Sequence, residues 1–129
     1  MAFENASVII SGGSKGIGLS MARVFARNTQ RRIVLIARSY EELKKAKNEL
    51  LELGARGVEI LAVDLTDTSS LETMDFQSLN PGILINNAGS FLFKKLEETT
   101  PEEFSRQFNS NVLCAFNLTQ KVLPALKKQ

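Results

Sequence analysis

At 129 residues, 43% apolar and 23% charged, the chain has enough material for one domain with a core and is too apolar for a disordered tail. A net charge of +2, with Lys and Arg interspersed among Asp and Glu, excludes a strongly basic nucleic-acid surface. No apolar run approaches the roughly 20 residues of a membrane helix, and the start MAFENAS lacks the layout of a signal peptide.

Cys114 is the single cysteine and histidine is absent, so the chain offers neither an internal disulfide nor the usual ligands of a zinc site. A reducing cytoplasm is the expected home.

Short apolar runs alternate with helical patterns along the chain. Ala6–Ser11 is β-branched and turn-bounded, and it reads as a buried strand. The helix that follows places Ile17, Met21, Val24 and Phe25 on one face. Arg32–Ala37 is the second strand. The next helix aligns Leu43, Ala46, Leu50 and Leu53, pairs Glu41 with Lys45 outside, and stops at Gly54. Val58–Val63 is the third strand, Ser69–Leu79 a short helix, and Gly82–Asn86 the fourth strand.

Thr100-Pro-Glu-Glu103 then combines an N-cap threonine, a first-turn proline and a capping-box glutamate. Phe104, Phe108, Val112, Ala115, Thr119, Val122 and Leu126 recur at helical spacing beyond it, and Pro124 is placed to kink or fray the last turn. Repeated βαβ units with right-handed crossovers predict an α/β fold, an open doubly wound parallel sheet.

The first strand runs into SGGSKGIG, Ser11–Gly18, and then into a helix. That context lets backbone N–H groups at a helix N-terminus receive a phosphate. Gly12 permits the tight turn, Gly16 lets a ligand approach the backbone, and Gly18 lets the helix lie near the sheet. The spacing fits neither G-x-G-x-x-G nor the P-loop, so the loop needs support from its neighbours. Arg38, twenty positions after Gly18, stands at the end of the second strand. A carboxylate there grips a ribose 2′-hydroxyl, whereas an arginine accommodates a 2′-phosphate. With Lys15 as a second cation, the pattern favours NADP over NAD.

SGGSKGIG, VDLTD at 63–67, NNAG at 86–89 and NSNV at 109–112, in this order and at element boundaries, resemble the short-chain dehydrogenase/reductase family. Ser11 stands where threonine is more usual, with the hydroxyl kept. The resemblance implies a Rossmann-type sheet of strand order 3-2-1-4 over residues 1–129. It also implies a cofactor site that includes Gly12, Lys15, Gly16, Ile17, Arg38 and Ser39. Ser14 would reach the adenosine ribose or its phosphate, and Asp64 with Leu65 the adenine amino group. The bland reading of Asp64 is a helix cap, a role better suited to Asp67 or Thr68. Asn87, Ala88 and Gly89 would line the adenosine ribose, while Asn86 reads as structural, binding backbone groups between strands. Asn111 matches the catalytic asparagine that holds a water in a proton relay, on a helix face expected to look toward the sheet.

Family enzymes move a hydride between nicotinamide and a carbonyl or alcohol carbon, using a tyrosine, a lysine and a serine beyond the fifth strand. The chain ends before that strand. Tyr40 and Lys44 have Y-x-x-x-K spacing, but they follow the second strand at the adenosine end and are a coincidental match. The expectation is thus the NADP-binding half of a reductase of small carbonyl or alcohol substrates, inactive alone. The alternative is a non-catalytic dinucleotide-binding or interaction module. An oligomer built on the 101–128 helix or the edge of the fourth strand is expected, because Ile83, Leu84, Ile85, Phe104, Phe108 and Phe116 would otherwise lie partly bare.

Overall fold

The computed structural model describes residues 2–129. Four strands form one parallel sheet: β1 (Ser7–Ser11), β2 (Ile33–Ala37), β3 (Val58–Ala62) and β4 (Pro81–Ile85), in the order β3-β2-β1-β4. Each is five residues long and sits within one residue of its expected bounds. A helical turn, α1 (Ala2–Asn5), precedes β1, and α2 (Gly16–Asn28) and α3 (Tyr40–Glu52) carry the chain back between strands.

Strand periodicity sorts the core into two layers. Val8, Ile10 and Leu35 point to one face and meet Leu19, Ala22, Ala26, Leu43, Ala46 and Leu50 of α2 and α3. Ile9, Val34 and Ile36 point to the other, against Leu71, Phe76 and Leu79 and against Cys114, Leu118 and Val122 of α6 (Cys114–Leu126).

Three helix readings are corrected. In α2 the sheet-facing stripe is Gly18, Leu19, Ala22 and Ala26, whereas Ile17 (73% exposed) and Val24 face outward and Met21 and Phe25 pack at its flank. The cause is close approach, since a Cβ on Gly18 would collide with the Gly12 carbonyl. At that distance small side chains fit between helix and sheet, and bulky ones turn away. The short helix α4 spans only Thr68–Glu72. Asp75 then accepts the N–H groups of Gln77 and Ser78 at 3.0 and 3.2 Å, and these turn bonds replace further helix.

The last helix is not continuous. α5 (Pro101–Phe108) begins with the expected capping box, Thr100 and Glu103 each bonding the other's backbone N–H. A π-helical turn, Asn109–Leu113, then separates it from α6. One extra residue per turn rotates the following stripe by about 100°. Phe104, Phe108 and Val112 are therefore exposed, while α6 buries Cys114, Leu118, Val122 and Ala125. Of the expected stripe, Val122 is buried and Leu126 packs against the same cluster. Pro124 lies within α6, which runs on to Leu126.

The two faces of α6 make a sharp test. Leu118→Ala should cost about 2–5 kcal/mol, whereas Gln120→Ala, on the exposed face, should stay within about 0.5 kcal/mol. Urea unfolding of both variants measures this, and equal losses would reverse the assignment of buried and outer faces.

Candidate functional site

The carboxyl ends of β1 and β4 diverge because the chain leaves β1 toward β2 on one side while β4 lies on the other. This is the switch point of the doubly wound sheet, where ligands enter. A cleft of about 930 Å³ opens there. Gly12, Ser14, Lys15, Arg38, Ser39, Asp64, Leu65, Asn87, Ala88 and Gly89 all line it, so four sequence segments meet there. Gly16, Ile17 and Asn111 stand outside that lining. Gly16 and Ile17 instead border a shallow groove along the outer face of α2. Tyr40 opens α3 with its ring more than half exposed and does not line the cleft.

The glycine loop is held from below. Ser11 is buried, and its hydroxyl accepts the N–H groups of Asn87 and Ala88 at 3.0 and 2.9 Å. The Asn87 amide donates to the Gly12 carbonyl at 3.0 Å. Backbone tying between strand ends is thus the work of Asn87 and Ser11, not of Asn86. The Asn86 side chain instead donates to the Thr119 hydroxyl of α6 at 2.9 Å.

The helix that follows the loop has an open start. Ser39, Asp67 and Thr100 cap α3, α4 and α5 with side-chain oxygens. Lys15, at the N-cap of α2, makes no such bond. First-turn N–H groups of a helix need partners, and their dipole favours an anion. Gly16 has φ 57° and nothing within 4 Å of where a Cβ would sit, so its backbone is open to an approaching group. Loop and helix together suit a phosphate.

Asp64 is fixed by its own turn. Its carboxylate accepts the Thr66 N–H at 2.9 Å and the Thr66 hydroxyl at 2.7 Å. These two bonds, hydroxyl first, hold its pKa below the usual carboxylate value, and nearby Arg38 adds to the effect. Capping α4 falls to Asp67, which accepts the Ser69 N–H at 3.1 Å. Asn111 sits on the π-helical turn with its side chain exposed. It accepts the Ser90 N–H at 3.1 Å and donates to the Gln107 carbonyl at 2.8 Å. Its oxygen lies so close to Gly89 that a Cβ there would collide with it. Asn111 therefore meets the loop after β4 rather than the sheet face.

Nine lining residues were not expected at the site from the sequence: Ile36, Ala37, Glu42, Val63, Ser90, Arg106, Gln107, Ser110 and Cys114. Ser90, Gln107 and Ser110 join Asn111 in one hydrogen-bonded group at the β4 end of the cleft. Burial pushes the Cys114 thiol up, away from reactivity. Glu42 had a signal, because Ser39-Tyr-Glu-Glu42 has the S-x-x-E spacing of a capping box.

The chain matches the short chain dehydrogenase family over residues 6–129. It belongs to that family. The 3-dehydrosphinganine reductase TSC10B of Arabidopsis thaliana is 36% identical over 122 residues, which cover 93% of this chain and 36% of that protein. Ketoacyl reductase HetN of a Nostoc strain is 30% identical over 95% of this chain and 44% of its own length. Among solved structures, L-sorbose reductase from Gluconobacter frateurii, complexed with NADPH and L-sorbose, superposes with a TM-score of 0.85 at 28% identity. That match covers 99% of this chain and 51% of the reductase. The chain thus spans about half, or less, of the length of these relatives. Among the described residues no helix is long and apolar enough to cross a membrane.

The Asp64 turn generates a titration test. A depressed carboxylate pKa contributes stability above the unfolded-state value, which is lost as pH falls through the folded one. Thr66→Val removes the hydroxyl, the larger cause, and should move the Asp64 midpoint up toward the ordinary value. Carboxyl-carbon NMR titration measures it, and an unmoved midpoint would assign the shift to another group.

Proposed function

We propose that this family member is the dinucleotide-binding half of an NADP(H)-dependent oxidoreductase acting on carbonyl or alcohol substrates. The observation that carries this reading is the uncapped start of α2 beside an open Gly16, its N-cap Lys15 lining the cleft together with Arg38. The residues present fit the cofactor's parts. The Gly12–Gly16 loop and the first turn of α2 would receive the pyrophosphate, and Lys15, Arg38, Ser14 and Ser39 would surround the ribose that carries the 2′-phosphate. Asp64 and Leu65 would meet the adenine, and Asn87, Ala88 and Gly89 the sugar. Bound NADP(H) supplies the hydride. Asn111, anchored to Ser90 beside Gly89, would hold a water for proton transfer.

Relatives named for reducing 3-dehydrosphinganine, ketoacyl groups and sorbose support a carbonyl-reducing enzyme, and a neighbour complexed with NADPH supports the cofactor. The second reading, a non-catalytic dinucleotide-binding module, is favoured by one observation. The sequence's one tyrosine, Tyr40, opens α3 outside the cleft, so the cleft of this chain has no tyrosine proton donor. We accordingly expect the 129-residue chain alone to reduce no carbonyl at a meaningful rate. Sustained NADPH-dependent turnover by the purified chain would overturn that expectation.

Cofactor choice is tested by titrating NADPH and NADH into the full-length protein, with and without Arg38→Ala. A charge-assisted bond to phosphate contributes about 1.5–3 kcal/mol, so the substitution should cost NADPH about one to two orders of magnitude in affinity and NADH little. Equal affinities in the wild type would sink the preference.

Association is the remaining proposal. Phe104, Phe108 and Phe116 are exposed, and Ile83, Leu84 and Ile85 of β4 are half-buried on an edge strand. Exposed apolar clusters and unpaired strand edges favour pairing. Sedimentation equilibrium of the chain at micromolar concentration should find a dimer or larger assembly built on the 101–128 segment or the β4 edge. A well-folded monomer would refute it.

A further inference from the structure

The adenosine end of the cleft holds an unexpected anion. Ser39 and Glu42 stand at the N-cap and third helical positions of α3, where the S-x-x-E pattern forms two reciprocal bonds. At α5 both form, Thr100 accepting from Glu103 and Glu103 from Thr100. At α3 the Ser39 hydroxyl accepts the Glu42 N–H at 3.3 Å, but the Glu42 carboxylate reaches across to the glycine loop, where the Ser14 hydroxyl donates to it at 3.4 Å. Glu42 thus lines the cleft with Lys15, Arg38, Ser14 and Ser39.

We propose that Glu42 is a specificity-determining residue that opposes Lys15 and Arg38 and holds the preference for a 2′-phosphate in check. The proposal rests on the NADP reading of this site and adds to it. Two physical effects act in the same direction. A phosphate monoester carries about −1.5 to −2 charges near neutrality and only accepts hydrogen bonds, so a carboxylate beside it repels it and offers nothing in return. A ribose 2′-hydroxyl can donate, and a carboxylate within its reach can accept that bond. The Ser14 hydroxyl has a single proton. Donated to Glu42, that proton is withheld from the phosphate. Glu42 therefore penalises the phosphorylated cofactor twice and suits the unphosphorylated one.

The test is Glu42→Gln in the full-length protein, which keeps the size and removes the charge, read by isothermal titration at low salt. NADPH and NADH are titrated alongside adenosine 2′,5′-bisphosphate and AMP, which report the adenosine end without any turnover. The preference for the 2′-phosphorylated member of each pair should rise by about threefold to tenfold, and the gain should shrink at about 1 M salt, where exposed charges are screened. Glu42→Ala, checked for folding by circular dichroism, should raise the same ratio. An unchanged or lower ratio overturns the proposal. So does a rise confined to the glutamine variant, which would credit the new amide donor rather than the lost charge. Failure of the underlying reading looks different. Wild type would then show no preference and no response to Arg38→Ala, whereas a wild-type preference that ignores Glu42 refutes only the role given to Glu42.

Discussion

The hydroxyl of Ser11 occupies the point where β1 and β4 part, and three backbone groups converge on it. It accepts the N–H groups of Asn87 and Ala88, and the carbonyl of Ile85 lies 3.5 Å away. At a switch point the strands can no longer satisfy one another, because the chain leaves one to the left and the other to the right. Two N–H groups left without acceptors in a buried position would each cost about 1–3 kcal/mol. One small hydroxyl meets both needs, with Asn87 reinforcing it through the Gly12 carbonyl. The glycine loop and the NNAG segment are thereby held at a fixed separation, and the cleft between them is a consequence.

Satisfaction below contrasts with openness above. Below the loop Ser11 and Asn87 bond the strand ends, whereas Lys15, the N-cap of α2, lines the cleft and makes no side-chain cap bond. Three other helices, α3, α4 and α5, do carry such a cap. With no side-chain cap at α2, the first-turn N–H donors and the dipole of this thirteen-residue helix favour an anion at that spot. The neighbouring side chains are of mixed sign. Lys15 and Arg38 add positive charge, while Asp64 is occupied by Thr66 and Glu42 by Ser14.

The β4 edge of the sheet is more open. β4 has a strand partner on one side only, and the phenylalanines of α5 and α6 project away from the core. The π-helical turn links these features to the cleft. It releases Asn111 toward Ser90 and, by shifting the helical phase, decides which residues of α6 are buried. Such turns are rare and are found frequently at functional sites.

Read alone, the sequence determined the order of elements, the parallel α/β class, the Thr100 cap and the grouping of the glycine loop with Arg38, Asp64 and the NNAG segment. The first three follow from period and caps, which are local properties of a chain, and the grouping follows from the resemblance of four motifs to a known family. Tertiary structure decided the rest. Helical spacing in α2 admitted either the Ile17–Val24 stripe or the Gly18–Ala22–Ala26 stripe, and only contact with the Gly12 carbonyl chose the small residues. The π-helical turn left no mark on the apolar pattern, so the outward turn of Phe104 and Phe108 was invisible until the helix met the β4 loop. Asn86 and Asn87 are adjacent and chemically identical, and the direction of each side chain depends on which strand end lies beside it. Glu42 carried a capping signature that was locally correct, but its carboxylate was claimed by a serine from another segment. Local chemistry wrote the alternatives, and packing between distant segments selected among them, because a side chain's partner is set by what the fold brings near it.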